Sequence, residues 1–165
     1  HLLSRRQRQM CIRDRYLVPL KKEIEYIQSY LLLLKKRYGE GFTAIFELDH
    51  TLDEYPVPHI FLQPLIENCI VHGSCAGQEK LDIIIRTLQT ETEKLIIIKN
   101  TGNILSREQV KELNDMVQRE FEVGKQERVK TLQNINFRLK TACSGQCGLN
   151  FEFDENYVVL KIRIG

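Results

Sequence analysis

Twelve residues, Leu62-Gln63-Pro64-Leu65-Ile66-Glu67-Asn68-Cys69-Ile70-Val71-His72-Gly73, set a carboxylate, an amide and an imidazole into an otherwise apolar helical pattern. Asn68 and His72 are four apart, as are Gln63 and Glu67, so on a helix they form polar rows on one side. Leu62, Leu65, Ile66, Cys69 and Ile70 then face a core. Pro64 either kinks this helix or marks its start, because proline lacks the backbone donor and clashes with the preceding turn. A lone Glu-Asn pair is ordinarily a surface charge beside a solvated or capping amide. The full run is far more specific than that pair.

The run closely resembles the N-box of the ATP-binding domain in LytS/YesM-type sensor histidine kinases, where Leu-Gln-Pro-Leu-x-Glu-Asn ends in His-Gly. The resemblance implies that Asn68 is the ligand of a magnesium ion bridging the ATP phosphates. It also implies that Glu67 and His72, the catalytic candidates, support that ion or orient water. Magnesium prefers oxygen ligands and usually takes only one or two from protein.

Two further boxes are similar but altered. The family's Asp-x-Gly-x-Gly aligns with Asn100-Thr101-Gly102-Asn103-Ile104 at the end of a strand. Gly102 is retained, Asn100 replaces Asp, and Ile104 replaces the second glycine; the resemblance places Asn100 and Gly102 against adenine. An Asn oxygen still accepts a hydrogen bond from the adenine amino group, without the added strength of charge. The family's Gly-x-Gly-Leu-x-Asn aligns with Val129-Lys130-Thr131-Leu132-Gln133-Asn134. Leu132 and Asn134 match, as do Arg138 and Leu139, but both glycines that let a lid backbone approach phosphate are gone. The resemblance gives Lys130, Thr131 and Asn134 to the cofactor; in place of the lost glycines, the Thr131 hydroxyl can still cap the following helix and Lys130 can supply charge. Val71 stands where the family commonly has a phosphate-contacting lysine. Each lost charged hydrogen bond costs about 1.5–3 kcal/mol, so weak Mg-ATP binding is expected.

Periodicity sets the remaining elements. Leu20, Ile24, Ile27, Tyr30, Leu31 and Leu34 recur at helical spacing from Pro19 to Tyr38, and Gly39 ends the helix. Phe42 to Asp49 alternates as a strand, and Asp53 to Pro58 is expected to be a loop. Leu81 to Thr90 and Lys94 to Asn100 form a hairpin. Ser106 and Gln109 form a capping box for a helix to about Glu120, and another helix spans Val129 to Ala142. Gly148 to Glu155 and Tyr157 to Ile164 close the chain as a hairpin. The order predicts an α+β two-layer sandwich: a mostly antiparallel mixed sheet with helices on one face, preceded by a long helix. This is the Bergerat fold implied by the resemblance. The lid between Asn103 and Val129, above all Phe121 to Gln126, is expected to be mobile.

The chain has 165 residues, with 24 basic and 22 acidic side chains and a net charge of +2, so its global balance does not indicate a nucleic-acid partner. The local cluster Arg5, Arg6, Arg8, Arg13 and Arg15 lies in a segment resembling translated sequencing-adapter DNA. Residues 1–17 are therefore read as an artefact or disordered arm. Residues 18–39 are read as the end of a dimerisation helix and 40–165 as the ATP-binding domain. Cys11, Cys69, Cys75, Cys143 and Cys147 lack zinc-type spacing and are read as reduced thiols. No apolar run suffices for a membrane span.

By resemblance, this is a cytoplasmic domain of a bacterial inner-membrane sensor in a two-component system, with ATP and magnesium as cofactors and no direct membrane contact. It would pass the γ-phosphate to a histidine on an upstream segment and then to a response regulator, working as a homodimer through its N-terminal helix. The chain alone is expected to be inactive, because the family's phosphoacceptor context His-Phe-x-x-Asn does not occur in it. The rival reading is a non-catalytic dimerisation or interaction module that has lost productive ATP binding.

Overall fold

The apolar periodicities become a five-stranded sheet with helices packed on one face, in a computed structural model that describes residues 17–74, 80–119, 127–143 and 146–165. The proposed arm apart from Leu17, residues 75–79, the stretch Phe121–Gln126, and Cys11 and Cys75 lie outside the described residues.

A short strand β1 (Leu17–Pro19) leads into α1 (Leu20–Tyr38), which Gly39 ends at a φ of 64°. The helix buries Leu20, Ile24, Ile27 and Leu31 in the same apolar cluster as the sheet. Its opposite side exposes Tyr26, Leu32 and Leu33. β2 (Phe42–Glu47) follows, then β3 (Pro56–Pro58) and α2 (Leu62–Ser74). The expected Asp53–Pro58 loop is thus corrected in part, since Pro56–Pro58 pairs antiparallel with Leu17–Pro19. Prolines are tolerated there because the pair stands apart as a two-stranded edge. Pro64 falls in the first turn of α2, where its missing donor leaves no helical bond unmade.

The hairpin β4 (Leu81–Gln89) and β5 (Lys94–Asn100) precedes α3 (Arg107–Gln118) and α4 (Glu127–Ala142), and β6 (Gly148–Glu152) with β7 (Val158–Arg163) closes the chain. The sheet order is β2-β4-β5-β7-β6; β2 runs parallel to β4 and the other neighbours are antiparallel. The α+β reading therefore holds. Ile83, Ile85, Ile96, Ile98, Leu160 and Ile162 fill the covered face. The other face carries ion pairs, including Lys161 to Glu152 at 3.5 Å and Arg86 to Glu47.

The capping box of α3 forms as expected: the Ser106 hydroxyl accepts from Gln109 N and the Gln109 side chain accepts from Ser106 N. Far from being loose, α3 is tied to the sheet edge. The Asn114 amide donates to Phe151 O at 2.8 Å and accepts from Phe151 N at 2.7 Å, as a neighbouring strand would. Gln118 donates to Leu149 O at 3.1 Å. From α4, Asn136 donates to Val117 O and accepts from Leu149 N, while Gln133 donates to Met116 O and Arg119 O near the end of α3. These amides satisfy polar groups that an edge strand and a helix terminus leave open. The helical part of the expected mobile lid is thus pinned.

The thiol reading also needs correction. Cys143 and Cys147 form a disulfide across the turn from α4 to β6, their Cα atoms 5.5 Å apart. Cys69 is buried in α2. Sequence spacing gave no sign of the bridge, because the α4–β6 turn alone brings the two residues together.

Candidate functional site

Between α2, the ends of β5 and β7, the start of α3 and the middle of α4 lies a cavity of about 370 Å³. Leu65, Asn68, Cys69 and His72 come from α2, and Asn100 from the end of β5. Asn103, Ile104, Leu105 and Gln109 close one side, with Leu132, Phe151, Val158 and Leu160 behind them. The volume and the mixture of apolar wall with a few convergent polar groups are those of a small-molecule site.

α2 explains why the polar groups converge. Its buried stripe, Leu62, Leu65, Ile66 and Cys69, fixes the rotation of the helix about its axis. One polar row, Asn68 and His72, is thereby turned onto the cavity. The other row is turned away: Gln63 donates to Glu67 at 2.8 Å, and neither residue lines the wall. A step of one residue rotates a side chain about 100° around a helix, which separates Glu67 from Asn68. The expectation that Glu67 acts beside Asn68 thus finds no support in the cavity lining.

Asn100 is almost wholly buried, and its amide nitrogen donates to Thr101 O at 2.9 Å. Gly102 follows at a φ of 145°, packed on Gly73. A Cβ on either glycine would lie 3.5 Å from Asn100 Nδ2. The pair Asn100 and Gly102 is therefore brought against the end of α2.

The second box fares differently. α4 begins at Glu127, so Lys130 and Thr131 already sit inside the helix. Thr131 cannot be its N-cap, which corrects the capping expectation: a cap residue lies outside the helical dihedrals. Lys130 and Thr131 are half-buried, Asn134 is exposed, and none of the three lines the cavity; α4 reaches it through Leu132.

Sequence reasoning missed Asn103, Leu105 and Gln109 as wall residues, and it treated Ile104 only as a lost glycine. Gln109 was legible only as a capping residue. The amide nitrogen of Asn68 is buried and makes no hydrogen bond within the fold, so this amide is not consumed structurally. Such an orphan on a cavity wall is costly unless something else engages it.

No protein-family model matches the chain. It is 33% identical over 86 residues to the sensor protein LytS of Oceanobacillus iheyensis, covering 52% of this chain and 15% of that protein. It is 28% identical over 137 residues to the sensor histidine kinase/phosphatase LytS of Staphylococcus aureus strain Mu50, covering 82% of this chain and 23% of that one. The chain thus spans less than a quarter of the length of these curated relatives. Among solved structures, the catalytic domain of histidine kinase ThkA superposes with a TM-score of 0.61 at 16% identity, over 90% of this chain and 93% of that one. The same kinase in complex with response regulator protein TrrA superposes with a TM-score of 0.59 at 16% identity, over 90% and 40%. LytS-type sensor histidine kinases are therefore homologues of the chain, and its fold is that of a histidine kinase catalytic domain.

Proposed function

We propose that this chain is the ATP-binding catalytic domain of a two-component sensor histidine kinase, with nucleotide in the Asn68 cavity. The observation that carries the reading is Asn68 on the cavity wall, with an amide nitrogen that makes no hydrogen bond within the fold. The two ends of an amide exchange by rotation about one bond, so the same position can present the oxygen a hard cation takes. Among the described residues no group of three His, Cys, Asp or Glu side chains could hold a metal by itself. A site of one amide sharing magnesium with phosphate oxygens fits that donor set. Bound there, Mg-ATP would supply the transferable phosphoryl group and the metal's neutralising charge.

The chain's own part is positioning, which is most of what phosphoryl transfer asks of a protein. Asn100, fixed by its bond to Thr101 O, lies with Gly102 where a base would be held. Leu65, Leu132, Phe151 and Leu160 exclude water from the floor. His72 shares the wall with Asn68 and is the group placed to orient a phosphate or water. Lys130 and Asn134 reach ligand only if the start of α4 rearranges.

In the parent protein we place this domain on the cytoplasmic side of a bacterial inner-membrane sensor, with a response regulator as phosphate acceptor and the phosphodonor histidine on an upstream segment. The ThkA–TrrA complex supports the response-regulator partner, and the homologues named as sensor histidine kinases support the phosphotransfer role. Among the described residues no helix is long and apolar enough to cross a membrane. The exposed Tyr26, Leu32 and Leu33 of α1 are the surface we assign to the second subunit of a homodimer.

A second reading, a non-catalytic dimerisation or interaction module, is favoured by the withdrawal of Lys130 and Thr131 from the wall and by Ile104 on it. Calorimetric titration with Mg-ATP separates the two. Saturable binding that weakens when magnesium is chelated supports the kinase domain. Absence of heat at millimolar nucleotide supports the module.

A further inference from the structure

Helix α2 begins without a cap of its own: the residue before it is Phe61, which has no side-chain oxygen to offer the first N–H groups. The oxygen comes from α1. Glu23, one of the charged residues between the apolar positions of that helix, is 3% exposed. One carboxylate oxygen accepts from Ile60 N at 2.7 Å and lies 3.2 Å from His59 Nδ1. The other accepts from Phe61 N at 3.1 Å and Leu62 N at 3.4 Å. The turn is also held from the far side, where Arg138 of α4 donates to His59 O. Ile60, between these anchors, has a φ of 54°, a conformation that a β-branched residue adopts only when its surroundings enforce it.

A negative charge at a helix N-terminus complements the macrodipole, and here it also takes up N–H groups that would otherwise be orphaned in the interior. Its consequence is geometric. Asn68 and His72 sit on α2 about two and three turns beyond this anchor, with no local cap to set where the helix starts. The carboxylate is rooted in α1, whose other face is exposed.

We propose that Glu23 is a positioning residue for the cavity: by capping α2 from α1, it makes the placement of Asn68 and His72 depend on the seating of α1. A shift of α1 against the sheet would move the start of α2 directly. The inference rests on the nucleotide reading of the cavity for its functional readout, though not for its geometric one.

The test compares Glu23→Gln, Glu23→Asp and Ile27→Val in the full chain. Gln replaces an acceptor oxygen with a donor facing backbone N–H groups, Asp keeps the charge, and Ile27→Val removes one buried methyl group from α1 while leaving its seating and the turn in place. Each variant is titrated with Mg-ATP below its own unfolding midpoint, and the side-chain amide of Asn68 and ring of His72 are followed by NMR. The expected result is a loss of affinity of about tenfold or more for Gln, partial recovery for Asp, and no loss for Ile27→Val, with shifted Asn68 and His72 resonances in Gln alone. Equal affinity and unmoved resonances in Glu23→Gln overturn the proposal and leave Glu23 a purely structural cap. If the unaltered chain binds no Mg-ATP, the nucleotide reading fails instead, and the resonances still decide the positioning role.

Discussion

Gly73 and Gly102 meet backbone to backbone: a Cβ placed on Gly102 would lie 2.6 Å from the Cα of Gly73. This contact joins the end of the helix bearing Asn68 and His72 to the end of the strand bearing Asn100. Gly102→Ala is therefore expected to force the two apart and to strain a backbone at φ 145°, costing about 1–3 kcal/mol. Urea denaturation checks the stability. Mg-ATP affinity should fall with it, and an alanine variant of unchanged stability would refute the close approach.

Asn68→Ala is expected to abolish the magnesium dependence of nucleotide binding. The fold uses no hydrogen bond from the buried amide nitrogen, so stability should fall little or even rise. Titration with ATP in magnesium and in chelator measures it. A magnesium response equal to that of the unaltered chain would remove Asn68 from the metal.

Asn136→Ala should be among the more damaging polar substitutions. Its buried amide serves both Val117 O at 3.1 Å and Leu149 N at 2.9 Å. Each buried backbone group left unpaired costs about 1–3 kcal/mol. Hydrogen exchange should then show α3 and β6 losing protection together, which would mark the amide clamp as their common anchor.

Asp49 predicts part of the acid response. Its side chain accepts from the Thr51 hydroxyl at 2.6 Å, Thr51 N at 3.0 Å and Gln89 N at 3.2 Å. Chiefly through the Thr51 side-chain and backbone bonds, these interactions hold its pKa below the ordinary 3.8. A carboxylate depressed on folding adds stability above its unfolded pKa and loses it as pH falls through the lower, folded value. Asp49→Asn should therefore lower the unfolding midpoint most near neutrality and least in acid, flattening the decline below pH 3.8. An unchanged acid slope would count against it.

The chain should not phosphorylate its own histidines. His50 lies 3.2 Å from Asp53, His59 the same distance from the capping Glu23, and His72 lines the cavity. None stands in a His-Phe-x-x-Asn context. Incubation with labelled ATP checks this. Acid-labile, base-stable label on any of the chain's four histidines, His1 included, would be the contrary outcome.

Local chemistry made much of this protein legible from its sequence. The period of α2, the isoleucine-rich strands of the β4–β5 hairpin, the Ser106–Gln109 box and the stop at Gly39 each depend on residues within one or two turns of each other. The same locality singled out Asn68, His72 and Asn100, all of which line the cavity, because their neighbours in sequence carry the resemblance. What required the tertiary structure involves partners separated along the chain or turns whose shape no spacing reveals. Glu67 leaves the cavity because the buried stripe of α2 sets the helix's rotation. Glu23 is a cap for a helix 39 residues away, although in sequence it is one charge among several. Asn114 and Asn136 look like ordinary polar helix residues until β6 arrives beside them, and Cys143 and Cys147 are bridged only because the α4–β6 turn folds back. Burial decides each case, since an amide, carboxylate or thiol takes its role from what replaces water around it.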